Sequence, residues 1–496
     1  MLFNSYIFIF GFLPVTLLGF FWLARRSHAY AAAWLALASL FFYGYWNPAY
    51  IGLLLGSIVC NYAFGLWMAK AQLRAQSQLG SGGRKKHILV FAIAANLSLL
   101  AYYKYANFFV SNVDAVLGTG WNVSNIILPL GISFFTFTQI AFLVDTYQGK
   151  VKEYNFIHYV LFVTYFPHLI AGPVLHHKEM MPQFARPSTY RINWEHVATG
   201  LMLFTLGLCK KTLWADPIAA YTDGIFAGVA SGMTPTLYEA WCGALAYTLQ
   251  IYFDFSGYTD MALGIALMFG IKLPINFDSP YKATSIIEFW RRWHMTLSRF
   301  LRDYLYIPLG GNRKGKSRRY LNMMATMLLG GLWHGAGWTF VIWGALHGLY
   351  LTINHLWREA IADKLPRLLP RWLAALSGGT LTFIAVVVAW VVFRAADMTQ
   401  ATTMLKAMAG ISYYPVTFSE VLTGKLLLTT DLSGRDLIKL LLPGLLWVWL
   451  LPNSTQLKFL GNNLLLAILQ AAAVIYFLYL AIEQFGSYSP FLYFQF

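Results

Sequence analysis

The sequence has few charged residues. Asp, Glu, Lys and Arg make up 11% of its 496 residues, whereas 58% are hydrophobic. Because a soluble protein has about 25% charged residues, this composition excludes a water-facing surface over most of the chain. The apolar residues fall in repeated runs that approach the roughly 20 residues needed to span a bilayer. We therefore predict an all-α, polytopic membrane protein, a single domain over residues 1–496 with about a dozen transmembrane helices, some of them short or re-entrant.

Acidic residues are especially scarce, because 20 Asp and Glu stand against 36 Lys and Arg and leave a net charge of +16. In a soluble protein this excess would indicate nucleic-acid binding, but no soluble basic module is visible, and we predict no nucleic-acid partner. Basic clusters between apolar runs are typical of cytoplasmic loops. The clusters are Arg25–Arg26, Lys70–Lys86, Lys210–Lys211, Arg313–Arg319 and Lys364–Arg371. Since the first cluster follows the first apolar run, we expect the N-terminus outside the cytoplasm, and the C-terminus as well.

Several signatures of soluble enzymes are missing. The three cysteines form no CxxC pair, so the sequence indicates neither a disulfide framework nor a zinc site. There is no GxSxG or HExxH motif, and we expect no metal and no tightly bound cofactor. The segment Gly310–Ser317, GGNRKGKS, fits the phosphate-loop pattern, but that motif requires a strand before it and an α/β domain around it. We interpret it as a basic loop.

One segment, Lys282–Tyr306, is too charged to span lipid and too aromatic for a solvated helix. The spacing predicts one amphipathic helix at the membrane interface or in a protein-lined cavity. Glu288 and Arg292 can pair at i, i+4. Lipid anchoring would explain its arginines but not a histidine on the apolar face, which we expect to contain Trp290, His294, Leu297 and Leu301.

The apolar run Leu321–Trp343 and the residues after it contain His334 and His347. An ionisable group at membrane depth is costly and indicates function by default, although a histidine that bonds to a neighbouring helix is the structural alternative. On one straight helix the two histidines would be about 20 Å apart and on different faces. They therefore cannot act on one atom unless the helix breaks, and we interpret His347 as structural.

His294 lies on a separate segment and can converge with His334. A general base together with a group that positions the substrate or stabilises an oxyanion is the arrangement that acyl transfer requires. We expect substrate contacts from neighbouring side chains, namely Trp290, Trp293, Trp333 and Asp254. Asp254 and Asp260 could instead form a proton relay or bond to an adjacent helix, and the second interpretation is favoured.

Four stretches together resemble the membrane-bound O-acyltransferase family, in particular its bacterial alginate O-acetyltransferase branch, which includes cellulose-acetylating relatives. They are EFWRRWH, LRDYLYIPLGGNRKG, LLGGLWHG and the ending SYSPFLYFQF. The resemblance covers nearly the whole chain and is densest within residues 245–350. It implies a ring of helices around a central tunnel, a catalytic histidine at His334 in the WHG motif, and a second site histidine at His294.

The resemblance also implies a bacterial inner-membrane enzyme with both termini in the periplasm. Its donor would be a cytoplasmic acyl thioester such as acetyl-CoA, and the acetyl group would pass through a periplasmic acetyltransferase partner to an exported polysaccharide of the alginate or cellulose type. Two alternatives remain open from the residues alone. One is a proton-coupled exporter of a polysaccharide precursor, against which the missing internal repeat weighs, and the other is a scaffold of a secretion complex.

Overall fold

The computed structural model describes residues 1–77, 82–121, 126–151, 153–362, 370–417, 419–420, 433–457, 464–485 and 491–492. These residues form helices and contain no strand, apart from an isolated bridge between Thr236 and Tyr414. The prediction of an all-α protein is confirmed. Most of the Lys364–Arg371 cluster, part of Lys70–Lys86 and most of the final ten residues lie outside the described residues.

The α-helices, numbered in chain order, are α1 Leu13–Ala24, α2 His28–Gly44, α3 Ala49–Ser77, α4 Gly82–Leu100, α5 Ala106–Leu117, α6 Ile132–Tyr147, α7 Phe156–Thr164, α8 Phe166–Leu169, α9 His177–Phe184, α10 Trp194–Cys209, α11 Asp216–Ala230, α12 Leu237–Met268, α13 Ile286–Arg292, α14 Met295–Leu301, α15 Lys316–His334, α16 Trp338–Trp357, α17 Arg371–Arg394, α18 Met398–Met408, α19 Gly434–Leu450 and α20 Leu464–Glu483. Adjoining π-helical segments lie at Ile7–Phe12, Ala101–Tyr105, Lys210–Ala215, Arg302–Tyr306 and Arg358–Ala362. Short 3-10 turns lie at Pro187–Tyr190, Pro280–Lys282 and Ser454–Gln456.

Within the described residues, five helical stretches are long and apolar enough to cross a bilayer. They are Ile7–Ala24, Ala49–Ala71, Lys85–Leu117, Arg371–Arg394 and Leu465–Glu483. Most of their surface is not buried by the rest of the protein, as expected for helices in contact with lipid. The chain is therefore a multi-pass membrane protein, although a dozen spans are not established by this count.

The contacts divide the chain into two units. The first contains Met1–Leu206, Tyr258–Ile275 and Lys458–Tyr479. Within it, α3 and α4 are joined by reciprocal amide bonds between Asn61 and Asn96, a polar contact of the kind that links membrane helices. A Cβ on Gly200 would lie 2.5 Å from the Gly264 carbonyl oxygen, so the two helices that contain these glycines cross with their backbones in contact.

The second unit contains Gly207–Gly257, Asn276–Leu457 and Leu480–Phe496. Its central feature is a hairpin in which α15 ends at His334 and α16 begins at Trp338. The predicted continuous run through Leu321–Trp343 is therefore wrong, because Gly335 and Gly337 are extended and end the helix.

Glycines also set the packing of this hairpin. A Cβ on Gly331 would overlap the Phe340 carbonyl oxygen, and one on Gly344 would overlap that of Met327. Gly348 lies against Met324 in the same way. Because the paired positions rise along one helix as they fall along the other, α15 and α16 are antiparallel with their backbones in contact.

The predicted amphipathic helix Lys282–Tyr306 is interrupted. It forms α13, then α14 and a π-helical segment, with the break at Trp293 and His294. His294 has a left-handed backbone, with φ 44° and ψ 51°, which no helix continues through. The shared face that we predicted for Trp290 and His294 is therefore wrong, whereas the Glu288–Arg292 pair is present at 2.8 Å.

The segment Gly310–Ser317 is not a phosphate loop. It follows the π-helical segment Arg302–Tyr306 instead of a strand, and α15 begins within it at Lys316. The interpretation as a basic loop is consistent with this placement, because most of its residues are exposed.

Candidate active site

His334 is the last residue of α15 and is 6% exposed. Aromatic rings surround it: the ring centroids of Trp333, Trp343 and Phe393 lie 5.0, 5.2 and 5.4 Å from its own. Each of the three rings is nearly perpendicular to the imidazole. The imidazole is therefore shielded from bulk solvent by apolar rings on several sides.

His294 lies beside His334, as the sequence predicted, with 6.3 Å between the two ring centroids. It is fully buried, and the Phe255 ring lies 4.9 Å from it, edge-on. Burial lowers the pKa of His294, which lies outside the five candidate spans, to about 3, so the imidazole is neutral at pH 7.

A small cavity of about 20 Å³ adjoins His334, which is room for about one water molecule. Its walls are almost entirely apolar, and Asp254 is the one carboxylate among the lining residues. The lining residues are Ile251, Asp254, Phe255, Trp293, His334, Trp390, Phe393 and Leu492. The predicted site residues Trp293 and Asp254 thus line the same cavity as His334.

Asp254 belongs to a buried ion-pair cluster. The Lys211 Nζ atom lies 2.8 Å from an Asp254 oxygen and 2.8 Å from an Asp216 oxygen. The other Asp254 oxygen accepts a hydrogen bond from the backbone N–H of Leu492 at 2.9 Å. The Asp254 carboxylate thus bonds to neighbouring elements, as the favoured interpretation predicts, and it also lines the cavity. Its predicted contact with substrate stays a prediction.

The Lys210–Lys211 cluster is not a loop, contrary to our prediction. Both lysines lie in the π-helical segment Lys210–Ala215 that joins α10 to α11, and both are buried. Lys210 donates to the Ser454 hydroxyl at 3.2 Å. A count of basic residues misleads here because it takes no account of partners that are available inside the protein.

Trp290 and His347 contact each other beyond the cavity. The Trp290 indole N–H donates to Nδ1 of His347 at 3.3 Å, and Trp290 is not among the lining residues. The Trp343 ring separates the two histidines of the hairpin, with its centroid 5.2 Å from that of His334 and 4.8 Å from that of His347. The helix break thus brings both histidines to one aromatic cluster, on either side of the Trp343 ring.

Two other predicted residues have different surroundings. Trp333 packs against His334 from the same helix and is not among the residues that line the cavity. Asp260 is buried in the first unit, whereas Asp254 belongs to the second. A proton relay was the less favoured interpretation of these two aspartates, and the described residues around them add no support to it.

Comparison with known proteins identifies the family to which this site belongs. The family model of membrane-bound O-acyltransferases matches residues 40–393, which include both histidines, Asp254 and the whole hairpin. This chain is a membrane-bound O-acyltransferase. It is therefore an enzyme that transfers acyl groups, and the resemblance seen in the four sequence motifs is confirmed.

Relatives of this O-acyltransferase are named for bacterial polymers. A peptidoglycan O-acetyltransferase of Helicobacter pylori is 44% identical over 83% of this chain and 80% of its own length. A probable alginate O-acetylase of Pseudomonas aeruginosa is 42% identical over 82% of this chain and 75% of its own. A teichoic acid D-alanyltransferase of Streptococcus thermophilus is more distant, at 29% identity over 53% of this chain and 68% of its own.

Two polar groups of this O-acyltransferase were not predicted from the sequence. Lys211 could have been found, because it follows the apolar run that begins at Val197 with no break typical of a loop. Asn276, whose side-chain oxygen bonds to His294 at 3.1 Å, had no such signal. It lies 18 residues before His294, and only the folded chain brings the two together.

Proposed function

We propose that this O-acyltransferase transfers an acetyl group from a cytoplasmic thioester, acetyl-CoA, for the O-acetylation of an exported bacterial polysaccharide or cell-wall polymer. The family match and the relatives named for peptidoglycan and alginate support acyl transfer to such polymers. The observation on which the proposal rests is the pairing of His334 with His294 in a buried aromatic site next to a narrow cavity.

In the proposed mechanism His334 acts as general base. Its neutral imidazole takes the proton from the acceptor hydroxyl while that oxygen attacks the thioester carbonyl. The carbon–sulfur bond then breaks and an ester forms. The leaving thiolate takes from His334 the proton that came from the acceptor hydroxyl, which restores the neutral imidazole. His294 positions the reacting group, and the aromatic wall limits hydrolysis of the thioester by keeping water out.

The proposal also covers the location of the enzyme in the cell and the route of the acetyl group to the polymer. We place the enzyme in the inner membrane with its donor on the cytoplasmic side, and a periplasmic acetyltransferase partner carries the acetyl group to the polymer. The names of the relatives support peptidoglycan and alginate as candidates for the acetylated polymer. Cellulose, which the resemblance also implied, has no support among these relatives, and we do not extend the proposal to it.

The decisive experiment substitutes His334 in cells that make the polymer. In the His334→Gln variant we expect acetate esters, released from the exported polymer by mild alkali, to fall at least about a hundredfold. Membranes containing this variant should also fail to consume radiolabelled acetyl-CoA. A variant that inserts normally, accumulates to the wild-type level and still produces normal ester would contradict the proposal.

The matched control is His347→Gln. His347 is also a buried histidine of the hairpin in aromatic surroundings, and a glutamine oxygen can accept the Trp290 hydrogen bond in its place. We expect this variant to retain ester formation within about threefold of the wild-type level. Equal loss in both variants would mean that damage to the aromatic cluster, not the chemistry of His334, explains the result.

A further inference from the structure

Asn276 contacts the second imidazole of the site. Its side chain is fully buried, and its Oδ1 atom lies 3.1 Å from Nδ1 of His294. The same oxygen accepts hydrogen bonds from the backbone N–H and the hydroxyl of Thr296, at 3.2 and 2.8 Å. The Asn276 backbone carbonyl accepts from the N–H of Met295 at 3.0 Å. Asn276 is therefore bonded to His294 and to the first two residues of α14.

These bonds determine which Asn276 atom faces the imidazole. A backbone N–H can only donate, so the side-chain atom that receives the Thr296 N–H must be the amide oxygen and not the nitrogen. The oxygen in turn cannot donate to His294. The hydrogen between Asn276 and His294 must therefore be on Nδ1 of the imidazole.

We propose that Asn276 is a positioning residue that fixes His294 as the tautomer protonated at Nδ1 and so leaves a lone pair on Nε2. In this state His294 accepts a hydrogen bond or a proton at Nε2 and does not donate one there. The inference rests on the proposed transfer to an acceptor hydroxyl. Two roles were open to His294, positioning a reacting group or stabilising an oxyanion. An Nε2 atom without a hydrogen can position a hydroxyl or a protonated imidazole, but it cannot donate to an oxyanion.

Asn276 also stabilises the unusual backbone conformation of His294. A left-handed conformation is unfavourable for a residue with a side chain, and His294 adopts it with φ 44°. The Asn276 bonds to Met295 and Thr296 anchor the next two residues, so the turn cannot relax into a helix. Orientation and tautomer of the imidazole are therefore set together.

His294 is contacted by Asn276 at Nδ1, and aromatic rings and a second imidazole lie against it on other sides. His334 is the titratable group that faces it from α15, with 6.3 Å between the rings. The rings of Phe255 and Phe277 cover it from α12 and from the segment before α13. Because burial already keeps His294 neutral at pH 7, a carboxylate at position 276 would change its protonation strongly.

The test compares three variants of the full-length enzyme in detergent, each normalised to the amount that elutes as folded protein. Asn276→Leu removes the acceptor, and we expect kcat to fall about 10- to 100-fold with KM for acetyl-CoA within about twofold. Asn276→Asp restores an acceptor oxygen. We expect it to recover kcat to within about fivefold of wild type, with the acidic limb of its pH–rate profile moved to higher pH because the carboxylate favours protonated His294.

Asn453→Leu is the matched control. Asn453 is a buried asparagine that donates to the Phe277 carbonyl oxygen at 2.7 Å and so holds the same segment through its backbone. We expect Asn453→Leu to lower thermal stability as much as Asn276→Leu does, while its kcat stays within about twofold of wild type.

The outcomes separate this inference from the proposed function. If His334→Gln is inactive while Asn276→Leu and Asn453→Leu lose the same modest activity, Asn276 is structural and the inference is overturned. If Asn276→Asp neither restores kcat nor moves the pH–rate profile, the tautomer assignment is wrong. If His334→Gln remains active, the proposed function fails and the inference fails with it.

Discussion

Replacing Lys211 by methionine should destabilise the protein far more than replacing any exposed lysine. Lys211 is 2% exposed and Asp254 is 4% exposed, and their charged atoms are 2.8 Å apart. Lys211→Met keeps most of the apolar stem but leaves the Asp254 carboxylate buried without its cation. Asp216, the other partner, is 24% exposed and remains hydrated.

The magnitude follows from this burial. Removing one partner of a buried ion pair costs about 3–5 kcal/mol, because the remaining charge is uncompensated. The Lys439–Asp436 pair in α19 has a similar separation, 2.7 Å, but its side chains are 67% and 54% exposed. Solvent screens that pair, and Lys439→Met should cost about 0.2–1 kcal/mol at most.

The assay is equilibrium unfolding in mixed micelles, followed by tryptophan fluorescence, on Lys211→Met, Asp254→Asn and the double variant. The amide introduced by Asp254→Asn would keep an oxygen for the Leu492 N–H, so the double variant removes both charges and leaves that bond in place. We expect the free energy of unfolding of the double variant to be about 2 kcal/mol higher than that of Lys211→Met alone. If Lys211→Met lowers the free energy of unfolding no more than Lys439→Met does, the claim that the ion-pair cluster is desolvated is refuted.

Two further variants test the packing around the site. Gly344→Ala places a methyl group where it would overlap the Met327 carbonyl oxygen. It should force α15 and α16 apart, lower the free energy of unfolding by about 1–3 kcal/mol and reduce activity. The control is Gly52→Ala, whose added methyl group has no neighbour within 4 Å, and it should be neutral or stabilising in the same unfolding assay. Trp290→Phe keeps an aromatic ring but removes the donor to His347; we expect a loss of about 1 kcal/mol and an unchanged KM, and a rise in KM would instead support Trp290 as a substrate contact.

The general architecture and the central pair of histidines were predictable from the sequence. Low charge and apolar runs indicate membrane helices whatever the tertiary structure is, because the bilayer selects for them directly. His294 and His334 were identifiable because they lie in the WRRWH and WHG motifs on which the family resemblance rests. Burial alone does not distinguish them, since His168 and His347 are buried as well. The separation of 6.3 Å between the ring centroids of His294 and His334, however, needed the fold.

The breaks in the helices were not predictable in the same way. Periodicity favoured one helix through Trp290 and His294 and another through His334, yet both are interrupted at the two histidines of the candidate site. At His294 tertiary bonds override local preference, because Asn276 holds the turn. At His334 the extended Gly335 and Gly337 end α15, and close backbone contacts then hold α15 against α16. The pairing of Lys211 with Asp254 was not predictable because the two lie 43 residues apart, whereas Asp216 is close to Lys211 in the sequence.

The left-handed backbone at His294 also restricts which amino acids can replace it. Asn, Asp and Gly adopt this conformation at little cost, whereas β-branched residues such as Val and Thr are strongly disfavoured. Asn and Asp are therefore the replacements at position 294 that remove the imidazole with the least added backbone strain. A variant such as His294→Val would add backbone strain to the loss of the imidazole, so its inactivity would not report on the imidazole alone.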